Sequence, residues 1–368
     1  MKKALLASSA IIAAGVIAAP ALAAEKKAAG PIALKLGGYF TALGVHTSQD
    51  TSAGANRRNF MITREAEVSF SGSTKLDNGV SVGVDVQLEA ETCGDQVDES
   101  YIWFKGSFGQ VVIGAENGAG NKSFRGSSVP MAGFVSTWTS NYRLYGTVGN
   151  AAAQPFRADI SGDSEKITYW SPKMGGFQVG ASYTWDTGEI ASSYGGQEND
   201  NTAGTQSDIW ELGATYSGNT GKDGVSYNIS GAYIKGQNEA KTAATDDQKV
   251  WALGADVTVA GWTIAGGYGK DNQGTSAAST DLTDWNLGVK SSMGPWSYGI
   301  SYSHFEAEAG SGAGNDERDH WLAAASYAFG PGISLSAGIE NVKIEDNLNA
   351  VANENDATSI MLGTALFF

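Results

Sequence analysis

Charged side chains at a spacing of two, set among β-forming residues, carry what chemistry this sequence has. Glu65 and Glu67 flank Ala66 in the run Met61-Ile62-Thr63-Arg64-Glu65-Ala66-Glu67-Val68-Ser69. Asp85, Gln87 and Glu89 alternate with Val84, Val86 and Leu88. On an extended strand that spacing puts the polar groups on one face and the apolar groups on the other. Glu116, Lys122, Arg125, Arg143, Arg157, Asp159, Asp163 and Lys166 border or occupy one long polar stretch, and Lys290 and Glu340 share the polar parity of later runs. Acids and bases opposed across a narrow wet space create a transverse field, which orders water and favours polar solutes over apolar ones. The chemistry motifs of enzymes are absent. His46, His304 and His320 have no metal-ligand spacing, and there is no G-x-S-x-G elbow or phosphate-binding glycine loop. Cys93, the single cysteine, rules out an intramolecular disulfide.

The elements that must position these groups are strands. From about residue 33 onward the chain alternates apolar and polar residues in runs of roughly 8 to 15 residues, with no amphipathic helix and no domain-sized change of composition. Phe177, Val179, Ala181, Tyr183 and Trp185 face one way, and Gln178, Gly180, Ser182 and Thr184 the other. Two rows of aromatics bracket small aliphatic residues. Trp185, Trp210, Trp251, Trp285, Tyr302 and Trp321 lie beside long connections; Tyr169, Phe177, Trp262, Trp296, Tyr327, Phe329 and Phe368 lie beside short turns. Rings at both strand ends suit two membrane–water interfaces, whereas a soluble sandwich would concentrate them in mid-strand. Seven short turns, such as Leu76-Asp77-Asn78-Gly79, Ala260-Gly261 and Phe329-Gly330-Pro331-Gly332, alternate with eight longer polar connections. These predict sixteen antiparallel strands closed into a transmembrane barrel, an all-β fold in which every backbone group is paired inside lipid.

The termini and composition agree. Lys2 and Lys3, the apolar run Ala4 to Ala19 and the Ala21-Leu22-Ala23 cleavage site read as a signal peptide over residues 1–23, with the barrel over 24–368. No later segment reaches the ~18 apolar residues of a spanning helix. The net charge of −15 becomes about −17 without Lys2 and Lys3, which argues against a nucleic-acid partner. At the other end Ile360, Leu362, Thr364, Leu366 and Phe368 form a bulky face opposite Met361, Gly363, Ala365 and Phe367.

Several segments carry a family resemblance. Tyr169-Trp170-Ser171-Pro172-Lys173-Met174-Gly175-Gly176-Phe177 is similar to a Tyr-x-Ser-Pro–turn–Gly-Phe hairpin, and Gly106-Ser107-Phe108-Gly109 to a Gly-x-Phe-Gly hairpin. Gly37-Gly38-Tyr39-Phe40 looks like a first strand and Phe368 like a terminal aromatic. In order and spacing, over essentially the whole mature chain, these resemble the general diffusion porins of Gram-negative (proteobacterial) outer membranes. The resemblance implies a homotrimer in outer-membrane lipid and passive diffusion of small hydrophilic solutes and ions. It also implies a third connection, about residues 117–162 here, folded inward as a constriction. The chain departs from some porins in lacking an acidic Pro-Glu-Phe-type loop tip.

Parity then assigns the lumen candidates. Phe60, Ile62, Ala66, Val68 and Phe70 face outward. Glu65, Glu67, Asp85 and Glu89 face inward, with Glu116, Lys122, Arg125, Arg143, Arg157, Asp159, Asp163 and Lys166 at or near the constriction. Arg64 has outward parity at mid-strand, where a charge against lipid costs about 2–4 kcal/mol. It is therefore expected at a subunit interface, unless a bulge resets the parity. The acidity predicts a weak cation preference. Lumen aromatics are expected only in the third connection, at Trp138, Tyr142 and Tyr145. A substrate-specific sugar or anion channel, an outer-membrane enzyme and a soluble exported β-protein are the competing readings. No enzymatic activity and no cofactor are expected. Acidic segments such as Asn315-Asp316-Glu317 and Asn353-Glu354-Asn355-Asp356 have oxygen ligands for Ca²⁺, although a solvated anionic rim accounts for them as well.

Overall fold

The computed structural model describes residues 32–50, 57–90, 96–132, 135–137, 145, 158–187, 201–202, 204–221, 224–275, 281–308, 314–346 and 354–368. The signal segment, Cys93, Trp138, Tyr142, Arg143 and Arg157 lie outside these described residues. The first strands are β1 (Ala33–Gln49), β2 (Phe60–Lys75), β3 (Ser81–Glu89), β4 (Val97–Gly106) and β5 (Gly109–Ala115). A five-residue helix, α1 (Ala119–Ser123), lies in the third long connection. Then come β6 (Glu165–Trp170), β7 (Phe177–Asp186), β8 (Gln206–Asn219), β9 (Ser226–Asn238), β10 (Gln248–Val259) and β11 (Trp262–Asp271). The series ends with β12 (Leu282–Met293), β13 (Trp296–Glu308), β14 (Asn315–Gly330), β15 (Ile333–Glu345) and β16 (Asn355–Phe367).

Each strand pairs with its sequence neighbours, and β1 closes on β16 from Tyr39↔Phe367 to Gln49↔Ala357. All pairs are antiparallel, so the sixteen-stranded barrel expected from alternation and turn spacing is the one observed. The C-terminal residue locks the seam. The Phe368 N–H donates to the Gly38 carbonyl at 3.1 Å, and the Gly38 N–H donates back to the Phe368 carbonyl at 3.0 Å. At the β10–β11 hairpin Ala260 and Gly261 both have positive φ, 50° and 82°, the two-residue turn whose twist matches the flanking strands.

The outer wall is apolar and exposed. Leu212, Ile229, Leu253, Ile264, Leu287, Ile360 and Leu362 are each more than half exposed, between two aromatic rows. Rings pair across strands in both rows: Tyr302 with Trp321 at 4.4 Å and Trp251 with Tyr268 at 5.3 Å on one side, Trp296 with Tyr327 at 4.8 Å on the other. No helix among the described residues is long and apolar enough to cross a membrane; the strands, at 6 to 17 residues, are the elements available to do so.

The apolar core lies between the inner wall and the third connection. Met131, Ala132 and Val135 pack on Leu43, Val45, Leu322 and Met361. Ala158, with Phe124 and Ile160 beside it, packs on Ile234, Val250 and Phe305. These inward apolar residues make a dry seat for the connection in an otherwise polar interior.

Candidate functional site

One sector of the inner wall is strongly acidic. Glu65 and Glu67 on β2 and Glu89 on β3 are buried, and oxygens from all three lie within 4.8 Å of one another. The Tyr39 hydroxyl on β1 faces them, 2.7 Å from Glu67 Oε1 and 3.2 Å from Glu65 Oε1. A bulge enlarges the sector. Gln87 pairs with Glu99 but Leu88 pairs with Val97, so Asp98 is an extra residue and both Asp98 and Glu99 are buried. Glu99 accepts from Gln87 Nε2 at 2.7 Å and from Asn117 Nδ2 at 2.9 Å.

The third connection lies along the inner wall. The N–H of Ala119 donates to Ser182 Oγ on β7 at 2.8 Å, and that of Ser127 to Asn286 Oδ1 on β12 at 2.8 Å. The N–H of Ala132 reaches Ser336 Oγ on β15 at 3.0 Å, and Ser303 Oγ on β13 donates to the Thr137 carbonyl at 2.6 Å. Two glycines permit the close approach. A Cβ on Gly213 would strike the Ala119 carbonyl and Ser123 Oγ, and one on Gly254 would strike the Arg125 carbonyl.

Two buried polar side chains tether this segment. Glu211 on β8 is 0% exposed; its Oε2 accepts from the Gly120 N–H at 2.9 Å and its Oε1 from Ser161 Oγ at 2.6 Å. Lys166, at the start of β6, donates to the carbonyls of Glu116, Gly162 (2.9 Å) and Ser164 (2.5 Å). Breaking bonds like these would leave buried donors and acceptors unsatisfied, at about 1–3 kcal/mol each. Together they grip both ends of the connection, at 116–120 and at 161–164.

The sequence-derived candidates divide accordingly. Glu65, Glu67 and Glu89 form the acidic sector, and Asp85 accepts from Trp103 Nε1 at 2.8 Å. Glu116 pairs with Lys122, whose ammonium also lies 5.6 Å from the Tyr101 ring centroid. Asp159 Oδ1 caps the Gly162 N–H at 2.9 Å, Asp163 adjoins that turn, and Arg125 is exposed to the lumen side. Lys166 has the inward parity assigned to it, but it is 1% exposed and belongs to the tether, offering no accessible charge to a pore. Lys290 donates to Ser128 Oγ at 2.7 Å, and Glu340 lies 3.1 Å from His320 Nε2. The β1–β2 register runs unshifted from Ala33↔Ser73 to His46↔Phe60, so no bulge resets Arg64, which stays exposed on the outer face beside Ala42.

A closed barrel with this polar interior and an apolar exterior agrees with the sequence relationships. The profile of a family described as Gram-negative porin matches residues 7–347. The chain belongs to the Gram-negative porin family. This porin also shares its fold with solved porins. A porin structure refined at 1.8 Å aligns with TM-score 0.60 at 17% identity, covering 91% of this chain and 100% of that one. An anion-selective porin from Comamonas acidovorans aligns with TM-score 0.64 at 16% identity, covering 92% and 100%. A mutant of the Rh. blastica porin aligns with TM-score 0.55 at 13% identity, covering 91% and 100%. No curated protein matches significantly.

The porin corrects one expectation. Lumen aromatics are not confined to the third connection. Tyr101 pairs with Asp85 and Trp103 with Gly83, all at inward positions, and Trp170 pairs with inward Gln110 and Gly180. Of the loop candidates, Tyr145 is instead packed on Val342, Ile344 and Ala357. Glu211 and Asp98 escaped the sequence reading. Glu211 stands among alternating residues like any other, its partner Gly120 lying 91 residues away. Asp98 gains its inward place from a bulge that alternation does not announce.

Proposed function

We propose that this outer-membrane porin is a water-filled channel through which small hydrophilic solutes and ions diffuse passively, with a weak preference for cations. The observation that carries the reading is the polar connection laid along the inside of a closed barrel, facing the buried carboxylates of β2, β3 and β4. Such a loop narrows the lumen while its backbone groups stay paired. The acidity of the chain and Asp85, the partly exposed member of the carboxylate wall, support a bias toward cations that Lys122, Arg125 and Lys290 elsewhere in the lumen keep weak. We further propose a homotrimer with Arg64 at the subunit interface, because an outward arginine at mid-strand is costly against lipid. Signal cleavage after residue 23 belongs to the same reading, as does the absence of a resident cofactor.

The test of selectivity is the reversal potential of the purified protein across a salt gradient. A potential of cation sign supports the acidic bias. One of anion sign, as the name of the Comamonas acidovorans porin describes for that protein, overturns it.

A further inference from the structure

The inward rings of Tyr101, Trp103 and Trp170 are not used by the diffusion reading. Trp103 lies against Gly83, where a Cβ would meet its indole Nε1 at 2.7 Å. Trp170 lies in the same way against Gly180, where a Cβ would meet Cζ3 at 2.5 Å, Cε3 at 2.6 Å and Cη2 at 2.9 Å. An indole packed over a glycine seats directly on the strand, leaving its far side toward the lumen. Both tryptophans remain partly exposed, and Trp103 is held in orientation by its bond to Asp85. Filling the gap above a strand glycine would explain a ring at one such position. It does not explain two rings two strands apart, both open to water on the same side of the constriction.

We propose that this wall, on the short-turn side of the third connection, is a subsite for neutral oligosaccharides. A pyranose has an apolar C–H face and a rim of hydroxyls. Indoles match the face, and Lys105, Gln110 and Gln178 match the rim, all three being inward residues near the two rings, with Gln178 Nε2 donating to the Ser171 carbonyl beside Trp170 at 3.0 Å. Aromatic platforms with a few placed polar groups are the usual make-up of a small-ligand site. Trp103 and Trp170 stand two strands apart and one inward step apart, hence about 12 Å between them from sheet geometry, the span of a short oligosaccharide. Tyr101 continues the row up β4 to Lys122, at 5.6 Å, so the subsite leads from the constriction.

The inference rests on the open-pore reading, and its test separates the two. Ion current through the native porin in a planar bilayer is recorded with maltotriose added on the short-turn side, and separately with a polyethylene glycol of matched size. Each block is expressed as a fraction of that variant's own open current in salt. The expected result is a saturable block by maltotriose beyond that of the polymer. Its half-blocking concentration should rise about tenfold, equivalent to roughly 1.4 kcal/mol, in Trp103→Ala/Trp170→Ala. Trp103→Phe/Trp170→Phe, which keeps a ring at each place, should recover most of the loss and guards against misfolding of the alanine variant. Equal block by sugar and polymer, or equal sugar block in the parent and the alanine variant, overturns the subsite while leaving the pore intact. A parent with no current in salt alone overturns the pore and the subsite with it.

Discussion

Removing the Glu211 carboxylate should unseat the third connection without opening the barrel. Glu211 is fully buried and accepts two bonds from the connection, from the Gly120 N–H at 2.9 Å and from Ser161 Oγ at 2.6 Å. Leaving a buried donor unsatisfied costs about 1–3 kcal/mol, so Glu211→Ala, which orphans two, should cost about 2–6 kcal/mol of seating. At about 1.4 kcal/mol per factor of ten, the unseated population rises by roughly one to four orders of magnitude. Glu211→Gln keeps one acceptor oxygen and should lose about half as much. The strands do not depend on this residue for pairing, because β8 is held through its backbone to β7 and β9. The assay is single-channel recording under a voltage ramp, with gel mobility before and after heating as the check that the barrel is folded. Glu211→Ala should show greater open-channel noise and close at lower voltage, with Glu211→Gln between it and the parent. A folded Glu211→Ala porin with the parent's noise and closing voltage would refute the tether.

The seat itself can be attacked from the wall. Gly254→Val should displace the connection near Arg125, since its Cβ would collide with a backbone carbonyl that has no side chain to swing away; altered conductance in a folded barrel is the readout. Arg64→Ala should lower the detergent or temperature threshold at which trimers dissociate, measured by sedimentation; a parent that is already a stable monomer at low detergent contradicts the interface. In the connection before β10, burial raises the Asp247 carboxyl, but Lys241 at 3.1 Å and Lys235 at 3.5 Å outweigh it and hold the group below its usual range. A depressed folded value gives stability above the unfolded value, near pH ~4, which is lost as pH falls through the folded one. Lys241→Ala should therefore raise the Asp247 titration midpoint followed by carboxyl NMR, and an unmoved midpoint would contradict the pairing.

Strands were legible because lipid and lumen impose opposite solvents on alternate residues. Phe60, Ile62 and Phe70 fall on the outer face of β2 and Glu65, Glu67 and Ser69 on the inner, as parity alone assigns them. Chain reversals were legible where φ must be positive, as at Gly79 (88°) and Gly261 (82°). The lumen was read less completely, for two physical reasons. A strand residue's face is local information, whereas its partner is not: Lys166 and Glu211 have inward parity like many others, and their role as tethers exists only once the connection comes back to meet them. Aromatic residues are ambiguous as well, because a tryptophan near a strand end serves an interface when it points out and a platform when it points in. Trp170 sits beside the same short turn as outward Tyr169, and the Gly180 pairing decides between them.

The central claim, an open water-filled channel, is tested most directly by the conductance of the detergent-purified protein in a planar bilayer. Stepwise openings whose size grows in proportion to salt concentration, in groups of three for a trimer, are the predicted result. Protein that inserts as a folded barrel and passes no current at any salt concentration would contradict it.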